Sequence, residues 1–129
     1  MYKDFKRAEY IFIGTVTSTT TSWRNDNTEA SLDVQIHVDE FFKPSLVSNN
    51  RSITIYTPKD RSACGLKMKL NERWQIWAVY TTMFSEDDDT RRWLTAHSCG
   101  RSTKIYNRDS NRLRQWSNMI STEKDSHVE

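Results

Sequence analysis

Cys64 and Cys99 carry the sharpest chemistry in this chain, because a thiolate can attack, bind a metal or oxidise to a disulfide. They stand 35 positions apart and each precedes a glycine. The first closes Tyr56-Thr57-Pro58-Lys59-Asp60-Arg61-Ser62-Ala63-Cys64-Gly65, and the second sits in Ser98-Cys99-Gly100. Neither belongs to a C-x-x-C, so zinc-ribbon and thioredoxin-like readings are weak. One intrachain bridge and two structural thiols both satisfy the count. Histidine adds little. His37 falls on the polar face of a strand, His97 in a later strand and His127 in the tail, with no pair at ligand spacing. His97 and Cys99 are too close in sequence to read as a nucleophile and its base. There is no glycine-rich phosphate loop. The expected class is therefore not an enzyme, and no cofactor or metal is expected. Glu86-Asp87-Asp88-Asp89 reads as a solvated hairpin tip, since the following Thr90-Arg91-Arg92 supplies no calcium ligands at the required offsets.

The elements that must position the cysteines follow from hydrophobic period. Lys3 to Glu9 reads as a short amphipathic helix or turn, with Phe5 and Ala8 on one side. From Tyr10 to Val16 the period becomes two, and both faces are apolar at the start. Ser18 to Asn27 is polar around Trp23 and reads as a long hairpin loop. Next comes the clearest strand, with Leu32, Val34, Ile36 and Val38 on one face and Asp33, Gln35, His37 and Asp39 on the other. Phe41-Phe42-Lys43-Pro44 ends it. A third strand contains Ile53, Ile55 and Tyr56 and stops at Thr57-Pro58. A fourth runs from Trp74 to Thr82, led in by the turn-like Leu70-Asn71-Glu72, and a fifth from Arg92 to Ser98. From Asp109 to Ile120 the spacing is helical, with Leu113, Trp116 and Ile120 on one face and Asp109 or Ser110 as the cap. The expected organisation is one domain over residues 1–120 and a polar tail over 121–129. The fold class is mainly β, a five-stranded OB-type barrel with a C-terminal helix, and a β-sandwich is the alternative.

Composition limits the partners. The 129 residues are enough for one core, and fifteen Trp, Tyr and Phe offset an apolar content of only 36%. A net charge of +2 weighs against nucleic acid. An OB-type surface could still use Trp74, Trp77, Tyr80 and Trp93 as stacking platforms beside Arg91, Arg92 and Arg101. Those aromatics are more simply explained as core. The apolar runs are strand-length, so no membrane span is expected. With Lys3, Asp4 and Lys6 so close to Met1 no signal peptide is expected at this start, which reads either as a native cytosolic terminus or as a chain trimmed past a signal.

In spacing and residue type the chain resembles the netrin-like domain of the tissue inhibitors of metalloproteinases (TIMPs), an OB-type barrel. The matching features run from Phe5 to Cys99: Phe5-Lys6-Arg7-Ala8-Glu9, Ile11-Phe12-Ile13-Gly14-Thr15-Val16, Phe42-Lys43, Tyr56-Thr57-Pro58 with Cys64-Gly65, and Ser98-Cys99. The resemblance is one of pattern, and the two cysteine segments are its most specific parts. It implies a secreted, cell-surface or periplasmic protein whose partner is a zinc metalloproteinase or another extracellular protein. In that family each matching cysteine is bonded to one cysteine of an N-terminal C-x-C, whose free amine and first carbonyl chelate the protease zinc. Only Met1-Tyr2-Lys3-Asp4 precedes Phe5, so the chelating group is missing from this sequence. The expectation is a C-x-C further upstream or a divergent branch without one. Either way Cys64 and Cys99 should lie close together, as a substitute staple or as two facing thiols. Thr57, Pro58, Lys59, Asp60, Arg61, Ser62 and Ala63 correspond to a loop that touches the protease cleft. Ser18 to Glu29 corresponds to a hairpin loop that can grip a protease, with Trp23 as its aromatic anchor. Asn50-Arg51-Ser52 is the one glycosylation sequon. The alternative is a non-inhibitory interaction module, as in netrins, agrin and complement components.

Overall fold

The computed structural model describes residues 2–24, 29–43, 51–58, 65–81, 93–96 and 100–126. Helix α1 (Tyr2–Arg7) leads into β1 (Tyr10–Arg24), then β2 (Glu29–Lys43), β3 (Ser52–Pro58), β4 (Arg73–Thr81), β5 (Trp93–Thr95) and helix α2 (Ser110–Ser126). The five strands form one sheet in the order β1-β2-β3-β5-β4, and β4 pairs back onto β1 to close a ring. Every pairing is antiparallel except β3 with β5, where Tyr56 meets Thr95 in parallel.

The ring interior is built by the period-two sets. Phe12 and Val16 of β1, Val34, Ile36 and Val38 of β2, Ile55 of β3, Trp74, Ile76 and Ala78 of β4, and Leu94 beside Ala96 form one buried cluster. On β2 the inward set jumps from Val38 to Phe41. Gly14 stands opposite Val38 and Ile13 opposite Glu40, so Asp39 is an extra residue on β2 and shifts the phase of all that follows. Phe41 thus meets Phe12 inside, with ring centroids 5.9 Å apart, and Phe42 turns to the outer face.

That outer face carries a second core. Phe5 and Ala8, Ile11 and Ile13 of β1, Phe42, Trp77 of β4 and Leu113 of α2 are buried together, with Tyr2, Trp116 and Ile120 packed against them. This explains why both faces of β1 are apolar at its start: one looks into the ring and the other lies under the helices. Lys43 fastens α1 down. Its Nζ donates to the carbonyls of Phe5 and Lys6, each at 2.9 Å, where the unsatisfied C-terminal carbonyls of the helix lie. Arg114 of α2 donates from Nε and Nη2 to both carboxylate oxygens of Glu40, at 2.7 and 2.9 Å.

Three boundaries differ from the sequence expectation. Residues 18–24 are strand, paired from Ser18 with Gln35 to Arg24 with Glu29, so the polar stretch extends the hairpin ladder. Its serines and threonines read as turn-formers, yet threonine is β-branched and suits this exposed stretch of β1, which pairs with β2 alone while β2 also pairs with β3. Among the described residues the fifth strand spans Trp93–Thr95 and has ended by Ala96, while Arg92, His97 and Ser98 lie outside them. Helix α2 continues to Ser126, through six residues expected as tail. Asp109 precedes α2 with φ of 53°, a left-handed geometry unlike the extended one of a side-chain cap, and its carbonyl accepts from Leu113 N–H at 2.9 Å.

Candidate protein-contact site

Of the contact loop expected after β3, Thr57 and Pro58 are described, whereas Lys59, Asp60, Arg61, Ser62, Ala63 and Cys64 lie outside the described residues. Thr57 is fully buried. Its Oγ1 accepts the backbone N–H of Leu66 at 2.9 Å, so the two ends of this segment are tied together at the close of β3. Pro58 is buried opposite Ser31 of β2, at the last rung of the ladder, where a missing N–H costs least. Trp23 stands opposite Ala30 near the tip of the β1–β2 ribbon, and its side chain is not among those described.

Cys99, His97 and His127 also lie outside the described residues. The chain leading to Cys99 is anchored, because Ala96 N–H donates to Tyr56 O at 3.2 Å. Adjacent residues of β3, Tyr56 and Thr57, therefore bind Ala96 and Leu66. His37 is exposed on β2, opposite Thr15 and Ser52. Among the described residues no three His, Cys, Asp or Glu side chains group as metal ligands. Nor, among those residues, is any helix long and apolar enough to cross a membrane.

The aromatic platform considered for nucleic acid is mostly internal. Trp74, Trp77 and Trp93 are 5–8% exposed, and of that set only Tyr80 is open to solvent. Trp77 is fixed from beneath by Gln75, a buried polar side chain whose part the sequence did not reveal. Gln75 Oε1 accepts Trp77 Nε1–H at 2.7 Å, and Gln75 Nε2 donates to the carbonyls of Arg108 at 2.7 Å and Tyr106 at 3.1 Å.

Over Trp77 lies a cleft that sequence patterning did not reveal either. It has a volume of about 180 Å³ and runs between α1 (Asp4, Arg7, Ala8), β4 (Trp77, Val79), β5 (Thr95) and the turn at Gly100 and Arg101. Arg101 Nε donates to Asp4 Oδ2 at 2.6 Å, and its guanidinium carbon stands 5.9 Å from the Trp77 ring centre. The Arg101 hydrogen bond holds the Asp4 carboxyl below the usual carboxylate range. Asp4 and Arg101 are 97 positions apart, and only the docking of α1 on the ring brings them together.

No family model matches the chain, and no curated protein matches it.

Proposed function

We propose that this chain is an OB-type, netrin-like domain whose work is protein contact, with the segment joining β3 to Leu66 as its contact loop. The strand order supports the fold assignment. A five-stranded ring in which β1 pairs with both β2 and β4, and β3 closes on β5 in parallel, is how we read a Greek-key OB ring. The observation that carries the contact-loop assignment is the Thr57–Leu66 hydrogen bond. A surface loop whose ends are fixed on a rigid sheet loses less entropy on binding than a free one, and such loops often carry function. The sequence resemblance then assigns the partner as a zinc metalloproteinase or another extracellular protein, reached by an exported chain. The zinc in this reading belongs to the protease, and the chelating C-x-C would have to be supplied upstream of Tyr2.

The anchoring of Leu66 on Thr57 and of Ala96 on Tyr56 supports the reading of Cys64 and Cys99 as neighbours. Thiol titration of native and denatured protein, without reductant, separates a staple from two thiols. For the main proposal the test is inhibition of a panel of zinc metalloproteinases by this chain and by a form carrying the N-terminal C-x-C. Inhibition by the longer form alone supports the inhibitor mechanism. Tight inhibition by the short chain sinks the zinc-chelation argument. Silence from both discards the protease and leaves an interaction module. That module is then sought with Lys59, Asp60 and Arg61 variants in partner capture.

A further inference from the structure

The cleft above Trp77 has two unlike halves. Its floor is apolar and rigid: Ala8 and Trp77 are buried, Val79 is half-buried, and the indole cannot turn away while its N–H is held by Gln75. Its rim is charged, with Arg7 and Arg101 against the single carboxylate of Asp4. Asp4 is already committed to Arg101. Arg7 is exposed at the end of α1 and has no ion-pair partner among the described residues. Among the described residues, then, the rim sets two guanidinium groups against one carboxylate beside an apolar slot. The volume of about 180 Å³ is below the roughly 300–1,000 Å³ of pockets that enclose a whole small molecule. It suits one side chain.

We infer that this cleft binds the C-terminal residue of a partner peptide, an aliphatic side chain resting on Trp77 and the free carboxylate paired with Arg7. Charge complementarity selects the carboxylate, because it neutralises Arg7 with charge-assisted hydrogen bonds, whereas an amide offers only a neutral acceptor and an amine repels it. The slot selects a branched aliphatic group of leucine size. Arg101 takes part through its remaining guanidinium N–H groups while Asp4 keeps it in place. None of the residues that line the cleft belongs to the segment between β3 and Leu66, and the protease panel and the test below read different residues, so they fail separately.

The test is titration of the chain with a short peptide ending in leucine, read by amide chemical shifts and tryptophan fluorescence. The same peptide as a C-terminal amide and N-acetyl-leucine form the other arms. The expected result is saturable binding of the free acid, with shifts centred on Ala8, Trp77 and Arg101, and about tenfold weaker binding of the amide. Arg7→Gln, an exposed change that leaves the fold intact, should weaken the acid about tenfold and the amide hardly at all, and Arg7→Lys should recover part of the loss. Equal binding of acid and amide, or no binding at about 5 mM, a ceiling near 3 kcal/mol, overturns the proposal. Binding of N-acetyl-leucine without binding of the peptide overturns the peptide assignment.

Discussion

Replacing Gln75 with leucine removes the side-chain amide that joins β4 to the loop before α2 and changes little in volume. Three hydrogen bonds go at once: the one accepted from Trp77 Nε1–H and the two given to the carbonyls of Tyr106 and Arg108. They are not equal. Tyr106 and Arg108 are exposed residues, so their carbonyls can turn to water, and each loss costs about 0.5–1 kcal/mol. The Trp77 N–H is buried and has no such exit, which costs about 1–3 kcal/mol. Leucine recovers some of this by burying more apolar surface. The net expectation is a loss of about 2–3 kcal/mol, or roughly 6–12 °C in Tm for a domain of this size. The main-chain bridge between Gln75 and Thr103, with bonds of 2.8 and 2.9 Å, survives the substitution. The damage should therefore be local to residues 104–108 and to the Trp77 indole. Thermal and urea unfolding give the magnitude, and near-ultraviolet circular dichroism with amide exchange of residues 104–110 gives the location. A Gln75→Leu protein as stable as the parent, with unchanged exchange there, would refute the role assigned to this side chain.

Three further changes probe other joints of the fold. Gly14→Ala puts a methyl group against Ile36 Cγ2 and within 2.7 Å of the His37 carbonyl oxygen, so crowding should cost about 1–3 kcal/mol in urea unfolding. Thr57→Val keeps the shape but strands the Leu66 N–H; we expect a loss of about 1–2 kcal/mol and faster exchange of that amide, and unchanged exchange would remove the anchor from the contact-loop argument. Glu72 is partly buried, which raises its pKa, but the Lys104 ammonium, the Lys69 N–H and the Trp74 indole outweigh this and leave it lowered. Its contribution to stability is complete above the ordinary glutamate value of about 4.5 and disappears as the pH falls through the lower folded value. Glu72→Gln should therefore flatten the acid limb of the stability profile and lower the plateau at neutral pH.

Legibility in the sequence followed the number of wet faces on each element. β2 has one buried and one exposed face, so Val34, Ile36 and Val38 announced themselves by alternation against Gln35 and His37. In α1 and α2 the apolar stripes Phe5 with Ala8, and Leu113 with Trp116 and Ile120, were equally plain. β4 was visible as a strand but not as to which side of it faced in. Trp74, Gln75, Ile76, Trp77 and Ala78 are all buried, because the helices and the chain after Gly100 cover the outer face. The polar ribbon over 18–24 was misread because its residues favour turns in isolation, and cross-strand pairing overrides that preference. The Asp4–Arg101 pair and the cleft beside it were invisible for a simpler reason. Their parts come from opposite ends of the chain, and no local pattern records such a meeting.

The contact between Tyr2 and Trp116, with ring centroids 5.0 Å apart, spans 114 positions of chain. The β1–β2 ladder instead grows outward from a short connection between Arg24 and Glu29. Closing a long loop costs more entropy than extending a local ribbon, so the ribbon is expected to form early in assembly and the α1–α2 layer to dock late. The cleft over Trp77 needs α1 in place, so it comes into being with that late docking and is among the first features lost when the protein opens. A molecule seated there stabilises contacts that the folding barrier does not yet contain. Its signature is accordingly kinetic: a longer native lifetime, with the rate of folding left almost untouched.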